Sequence, residues 1–344
     1  MCASKKQSGN SDDMFNILFT SVGRRVELIS SFREALLTLG MNGKLIGTDI
    51  DPLAPAFHSV DKGFLVPAVD STEFIEAIVK VCRDQDVRLV LPLIDPDIQL
   101  LAKYKTTIEA TGARVGVADE REALTCGDKW RTYEFFRDLG IPTPQSWLPE
   151  TVGGNVDFPL FVRPRDGSAG IDAYVARNQK ELEFFCEYVP HAIVQEFIAG
   201  PEITSDIVCG FNGRVIAVVS RQRIAVRGGE AMKSVTVRDE RIVEYCCRIA
   251  KALHAVGPIT VQCMMKDNEP HFIEINGRLG GCVPLAIAAG VDIPALLIAT
   301  AADMNVDRTA RDDYVTNLYM SRCDQSYFVT DEELDDLSND YLRS

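Results

Sequence analysis

From Phe15 onward, short apolar runs alternate with longer stretches in which apolar residues recur every three to four positions. The runs predict strands buried on both faces, and the longer spacing predicts helices with one buried face. NILFTS is the first such strand, SVGRR a turn, and VELISSFREALLTLG a helix ending at Gly40. The strands KLIGTDID and FLVP follow, then the helix TEFIEAIVKVCRDQ and the strands RLVLPLI and ARVGV. Strands alternating with helices of this length imply βαβ units and a parallel sheet.

The second half of the chain has a different period. FPLFVRPRDGSAGIDAYVA reads as strand, loop and strand, and AIVQEFIAGPEITSDIVCGF and RVIAVVSRQRIAVRGGEAMKSVTV as further strands. After the helix RIVEYCCRIAKALHAVG, residues 259–281 alternate apolar and polar positions on both sides of the turn KDNEP, which predicts a hairpin. On its second strand, alternation predicts Phe272, Glu274 and Asn276 on one face, and antiparallel pairing brings Gln262 onto it. One carboxylate and two amide oxygens would then form a set of hard oxygen ligands suited to Mg²⁺ with substrate phosphates, and Arg278 supplies a planar cation for phosphate. An ordinary hairpin with a solvated polar face is the plain alternative.

Other stretches carry weaker signals. The turn after the first strand holds Gly23, Arg24 and Arg25 but no GxGxxG, so it is read as facing a substrate rather than a dinucleotide. Asp95-Pro96-Asp97 reads as a helix start, with Asp95 as cap, Pro96 at the first turn and Asp97 near the positive helix end; catalysis is the alternative. The loop with Gly167, Ser168, Ala169 and Gly170 lets backbone amides approach phosphate, with Arg163 adding charge and Arg165 a second candidate. Arg221, Arg223, Arg227 and Lys233 suggest a local anion site, against the alternative of a solvated strand face.

Composition narrows the class. Length and a 46% hydrophobic, 25% charged make-up fit a soluble chain of two or three domains. The net charge of -14 argues against nucleic-acid or anionic-membrane partners, which need a basic footprint. Ten cysteines include no CxxC pair and no zinc spacing, and are read as reduced, mostly buried residues of a cytoplasmic protein. The apolar region from Cys282 to Met304 is broken by Pro284, Gly290, Asp292 and Pro294, so it is read as buried helix rather than a membrane span.

The motifs together, in this order, resemble the ATP-grasp superfamily, and most closely one module of the carbamoyl phosphate synthetase large subunit. The resemblance covers Asn16 to about Met304 and rests on Asp128-Lys129, GIPTP, the Arg163 strand and glycine loop, E-x-x-x-G-x-E from Glu196 to Glu202, and Gln262 with Glu274-Ile275-Asn276-Gly277-Arg278. Gly277 departs from the family's usual proline, and the gap between Gly200 and Glu202 is shorter than in that synthetase. The fold implied is α/β and α+β: a Rossmann-like parallel-sheet domain, then two ATP-grasp subdomains enclosing ATP. The boundaries expected are a disordered tail at 1–13, the first domain at 14–118, linker helices and the small subdomain at 119–190, the large subdomain at 191–310 and an acidic extension at 311–344.

The resemblance also implies residue roles. Arg278 and Arg163 are the catalytic cations. Lys129, Arg163, Gly167, Ser168 and Gly170 contact ATP phosphate, and Lys233, from the basic cluster, is a secondary cofactor-binding candidate. Gln195, Glu196, Phe197 and Ile198 form the adenine hinge, and Glu202 takes the ribose. Gln262, Glu274 and Asn276 hold Mg²⁺, with Mn²⁺ as a substitute. The reaction implied joins a small-molecule carboxylate to an amine through an acyl phosphate. A carbamoyl phosphate synthetase subunit and a non-catalytic ATP-binding protein are the alternatives. Related enzymes are often dimers, so a homodimer is compatible with the resemblance.

Overall fold

The structure, a computed structural model, describes residues 14–154, 156–167, 170–306 and 313–334. The expected tail at 1–13 and the loop residue Ser168 lie outside the described residues.

The first domain runs β1 (Asn16–Thr20), α1 (Val26–Thr38), β2 (Leu45–Asp49), β3 (Lys62–Leu65), α2 (Phe74–Asp84), β4 (Val87–Pro92), α3 (Asp95–Lys103), α4 (Lys105–Glu109) and β5 (Arg114–Val115). Its strands lie in the order β3-β2-β1-β4-β5, all parallel. Helix α1 forms because Leu28, Ile29, Phe32, Ala35 and Leu36 fall on one face and are buried. It stops where Gly40, at φ +66°, bends the chain and Met41 N–H donates to Leu36 O, satisfying an end carbonyl. Phe32 meets Phe19 of β1 edge-on at 4.9 Å. Burying one such ring stabilises the fold by roughly 1.5–3 kcal/mol.

Helices α5 (Glu120–Gly127) and α6 (Lys129–Asp138) lead into a small antiparallel sheet. It contains β6 (Ser146–Trp147), β7 (Leu160–Pro164), β8 (Tyr174–Ala176) and, after α7 (Gln179–Tyr188), β9 (Ala192–Glu196), in the order β6-β9-β7-β8. Because β9 pairs with both β6 and β7, this sheet runs to Glu196, past the boundary expected at 190.

The large sheet comprises β10 (Glu202–Cys209), β11 (Val215–Arg227), β12 (Glu230–Val237), β13 (Gly257–Lys266), β14 (Glu269–Asn276) and β15 (Tyr319–Ser321). α8 (Glu240–Ala252) precedes β13, and α9 (Val283–Ala288) and α10 (Ile293–Ala301) follow β14. The antiparallel order is β14-β13-β10-β11-β12-β15. The acidic extension is therefore no mere appendage. Its β15 extends the sheet along β12, and Tyr314 is buried with its hydroxyl donating to Val237 O at 2.7 Å.

One face of the large sheet is mainly apolar, with the hydrogen-bonded pair Ser205 and Ser220 set into it, and packs with Phe136 of α6 and with Ile242, Cys246 and Ile249 of α8. The other face changes character along β10. Val208 joins a core shared with α1, α9, α10 and the first domain's sheet, whereas Asp206, Thr204 and Glu202 follow at two-residue spacing. Apolar burial thus fixes the first domain against one end of the sheet and leaves a polar floor at the other.

Candidate active site

Cross-strand pairing builds that floor in two rows. Thr204 stands opposite Gln262, which stands opposite Glu274; Asp206 stands opposite Thr260, which stands opposite Asn276. The hairpin turn is Asp267-Asn268, with both residues at positive φ, the two-residue type that matches the twist of paired strands. A bulge between Gln262 and Cys263 moves Phe272 out of the expected set. Phe272 stands opposite Cys263 and packs on Phe136 and Tyr245 in the core, so it does not share the face of Glu274. The extra residue on β14 interrupts the period-two alternation that a regular strand would keep.

Two cations converge on Glu274. Lys129 Nζ stands 3.8 Å from one carboxylate oxygen and Arg163 Nη1 3.8 Å from the other. Lys129 is the first residue of α6, and Asp128 caps that helix by accepting from the Trp130 and Arg131 amides. Its ammonium also donates to Gly167 O, which ties it to the glycine loop. Arg163 is aimed by its own bonds, Nε to Gln195 Oε1 at 2.8 Å and Nη2 to Ile273 O at 3.1 Å. Burial pulls both Lys129 and Arg163 below their ordinary pKa values, with Glu274 working in the opposite direction.

Neighbouring expectations are met unevenly. Gln195 is buried, and its side chain bridges Arg163 and Ser146 Oγ, which makes it a positioning group for Arg163. Glu196 is paired with Lys266 and accepts from the Gln145 amide. Phe197 is half-buried and Ile198 buried on the connector to β10. Glu202 faces the floor rather than the hinge alone, accepting from Gln262 and Arg223. Gly170 takes a left-handed φ of +72°. Arg165 is engaged by Asp128. Burial works against the Asp128 anion, but the Arg165 and amide hydrogen bonds outweigh it and lower its pKa.

Of the four basic residues, only Arg221 and Arg223 line one cavity together. Arg221 is buried against Asp206, Arg223 pairs with Glu202, and Arg227 reaches outward to Asp324. Lys233 is exposed and lines neither cavity beside the floor. Asp95 is not the cap of α3: Ile94 holds that position and no side chain caps the helix. Instead the Asp95 carboxylate accepts from Arg278 Nη2 at 2.6 Å, joining the first domain to the hairpin.

The two cavities meet at Asp95 and Asn276. One, of about 260 Å³, lies between α3, α5, Lys129, Gly167 and Glu274. The other, of about 210 Å³, adds Arg278, Arg221, Arg223 and, from the turn after β1, Arg25. Thr204 and Glu230 in this second chamber were not singled out by sequence reasoning, whereas Arg25 belongs to the turn at the carboxyl end of β1 that was read as facing a substrate.

A divalent cation fits the donor set. Among the described residues no three Asp, Glu, His or Cys side chains cluster as a metal site. Glu274 with the Gln262 and Asn276 oxygens offers hard donors in one patch, the partial shell that suits Mg²⁺ shared with phosphates.

Known proteins resemble this chain in sequence and in fold. Residues 17–116 match the PylC-like N-terminal domain family and residues 126–282 the ATP-grasp domain family. A carbamoyl-phosphate synthase of Methanobrevibacter smithii is 27% identical over 263 residues, 70% of either chain. A carbamoyl phosphate synthase large chain of Agathobacter rectalis is 25% identical over 268 residues, 70% of this chain but 24% of that one. The biotin carboxylase domain of Hydrogenobacter thermophilus 2-oxoglutarate carboxylase, solved with MgADP, ADP and bicarbonate, superposes with a TM-score of 0.73 at 18% identity, over 89% of this chain and 74% of that one. The chain carries an ATP-grasp domain match at residues 126–282, after a PylC-like N-terminal domain match.

Proposed function

We propose that the protein is an ATP-dependent carboxylate-amine ligase. A substrate carboxylate oxygen attacks the γ-phosphorus of ATP, the bond to the bridging oxygen breaks, and ADP leaves. The amine then attacks the acyl phosphate carbonyl, losing a proton and expelling inorganic phosphate to leave an amide. The observation that carries this reading is Glu274 held between Lys129 and Arg163 beside Gln262 and Asn276.

Gln262, Glu274 and Asn276 would hold Mg²⁺, or Mn²⁺ in its place, which supplies charge neutralisation at the phosphates. Lys129, Arg163 and Arg278 stabilise charge on the transferring phosphoryl group, and burial strengthens their effect. The connector after β9, from Gln195 to Glu202, borders the adenosine. Positioning and electrostatics suffice, and no side chain need become covalently modified.

The partners proposed are two small molecules, with no nucleic acid or membrane, in a cytoplasmic protein that forms a homodimer as related enzymes do. Among the described residues no helix is long and apolar enough to cross a membrane. Carbamoyl phosphate synthesis is the second reading, favoured by the M. smithii relative, of which this chain matches 70%. Hydroxylamine trapping decides between them. Ligase chemistry gives a hydroxamate from MgATP and an organic carboxylate, whereas ADP release with bicarbonate alone supports the second reading.

A further inference from the structure

The second chamber has unmet hydrogen-bonding capacity. Arg221, Arg278 and Thr204 line it, and Arg221 Nε, Arg278 Nε and Thr204 Oγ1 are buried with no hydrogen-bond partner among the described residues. Arg221 and Thr204 are 5% and 4% exposed, so each unpaired group costs free energy until a ligand or water satisfies it. The carboxylates nearby are already engaged. Asp95 holds Arg278. Glu230 faces three guanidiniums, Arg25 at 3.4 Å, Arg322 at 3.8 Å and Arg24 at 4.0 Å. Asp206 holds Arg221 and Glu202 holds Arg223, so the capacity left unmet in the site is that of donors.

Arg25 is the most poised of these cations. Its side chain is 18% exposed, and burial pulls its pKa down, Glu230 and Asp95 opposing and Arg278 and Arg322 adding to the fall. A side chain at Gly281 would force it to shift, since a Cβ there would lie 2.7 Å from Arg25 Nη1. A Cβ at Gly280 would lie 2.9 Å from Arg221 Nη2. The consecutive glycines thus leave room for guanidiniums to border one chamber.

We infer that the carboxylate substrate is a small dicarboxylate: one carboxylate reaches Arg278 and Asn276, beside the phosphate-binding face, and the second is held by Arg25. The identity of the reacting group rests on the ligase reading; the binding of two anionic groups does not. A volume of about 210 Å³ exceeds the ~150 Å³ that admits benzene, which suits a small acid. A zwitterion fits less well, because its ammonium would meet carboxylates that arginines already occupy.

The test is equilibrium binding of succinate and glutarate, against butyrate, to the full chain with MgADP at constant ionic strength. The inference predicts that a dicarboxylate binds at least tenfold tighter than butyrate. Arg25→Gln should remove that preference while MgADP still raises Tm, showing a folded variant. Glu230→Gln, by freeing guanidiniums, should strengthen dicarboxylate binding. Equal binding of butyrate, no binding of either dicarboxylate, an unchanged preference in Arg25→Gln, or weaker binding in Glu230→Gln would overturn it. ADP release with some other carboxylate would then leave the ligase reading standing. Dicarboxylate binding at Arg25 without carboxylate-dependent ADP release would instead sink the ligase reading alone.

Discussion

Arg278, two residues past the end of β14, donates to Asp95 at the start of α3 with an Nη2–Oδ2 distance of 2.6 Å, across 183 positions of sequence. The contact is part-buried and ties the cation at the edge of the phosphate site to the first domain. Asp95→Asn keeps an acceptor but removes the charge that fixes the guanidinium. Turnover should fall about 10- to 100-fold, the range expected when a reacting group is misplaced by around an ångström. Steady-state ADP release would show this in kcat more than in KM for ATP; an unchanged kcat would mean that Asp95 does not orient Arg278.

Lys129 is buried at the start of α6, between Gly167 O and Glu274. Lys129→Met keeps the length and removes the charge. The rate of ADP formation should drop by roughly 10²-fold, comparable to losing one preorganised donor to a developing anion. If only KM for ATP rose, Lys129 would bind ground and transition states equally.

Phe272 gives a prediction that depends on the bulge. It is 1% exposed and packs on Phe136 and Tyr245. Phe272→Ala should cost about 3–5 kcal/mol in urea unfolding, the usual penalty for emptying such a site. A ring facing the floor, as simple alternation requires, would instead affect ATP binding and cost little stability.

Asp97 supplies a pH dependence. It is fully buried and accepts from Thr20 Oγ1 at 2.6 Å, and its other oxygen has no hydrogen-bond partner among the described residues. Burial raises its pKa from 3.8 to about 6; the Thr20 and Ser21 hydrogen bonds oppose this, and Asp49 and Asp95 add to it. Between pH 4 and 6 the native state keeps a proton that the unfolded chain has lost, so this group's contribution to stability falls as pH rises through that window. Two pK units correspond to roughly 3 kcal/mol. Asp97→Asn should lose less stability than wild type between pH 4 and 7, by about 2–3 kcal/mol in urea titrations. Parallel profiles would contradict the assignment.

The parallel sheet was legible because βαβ strands are apolar on both faces, and the hairpin because its ends and its Asp267-Asn268 turn carry local signals. Gln262, Glu274 and Asn276 were found together because cross-strand neighbours follow from pairing alone. Phe272 was misplaced because a bulge leaves no mark in a pattern of apolar and polar positions. Asp95 read as a cap because local chemistry allows it; its actual partner lies in another domain, beyond any local rule. The same distance hid Glu230 and its pairing with Arg25, which only the packing of the first domain on the large sheet brings about. The acidic character of the C-terminal segment masked the edge position of β15, where exposed polar residues are ordinary.

The most direct test of the central claim is ADP release from MgATP by wild type and by Glu274→Ala, across a panel of carboxylates with and without amines. A carboxylate-dependent rate in wild type that rises with an amine, and is lost in a Glu274→Ala variant that remains folded, is the predicted result. Full turnover in Glu274→Ala, or ADP release indifferent to every carboxylate and to bicarbonate, would contradict it.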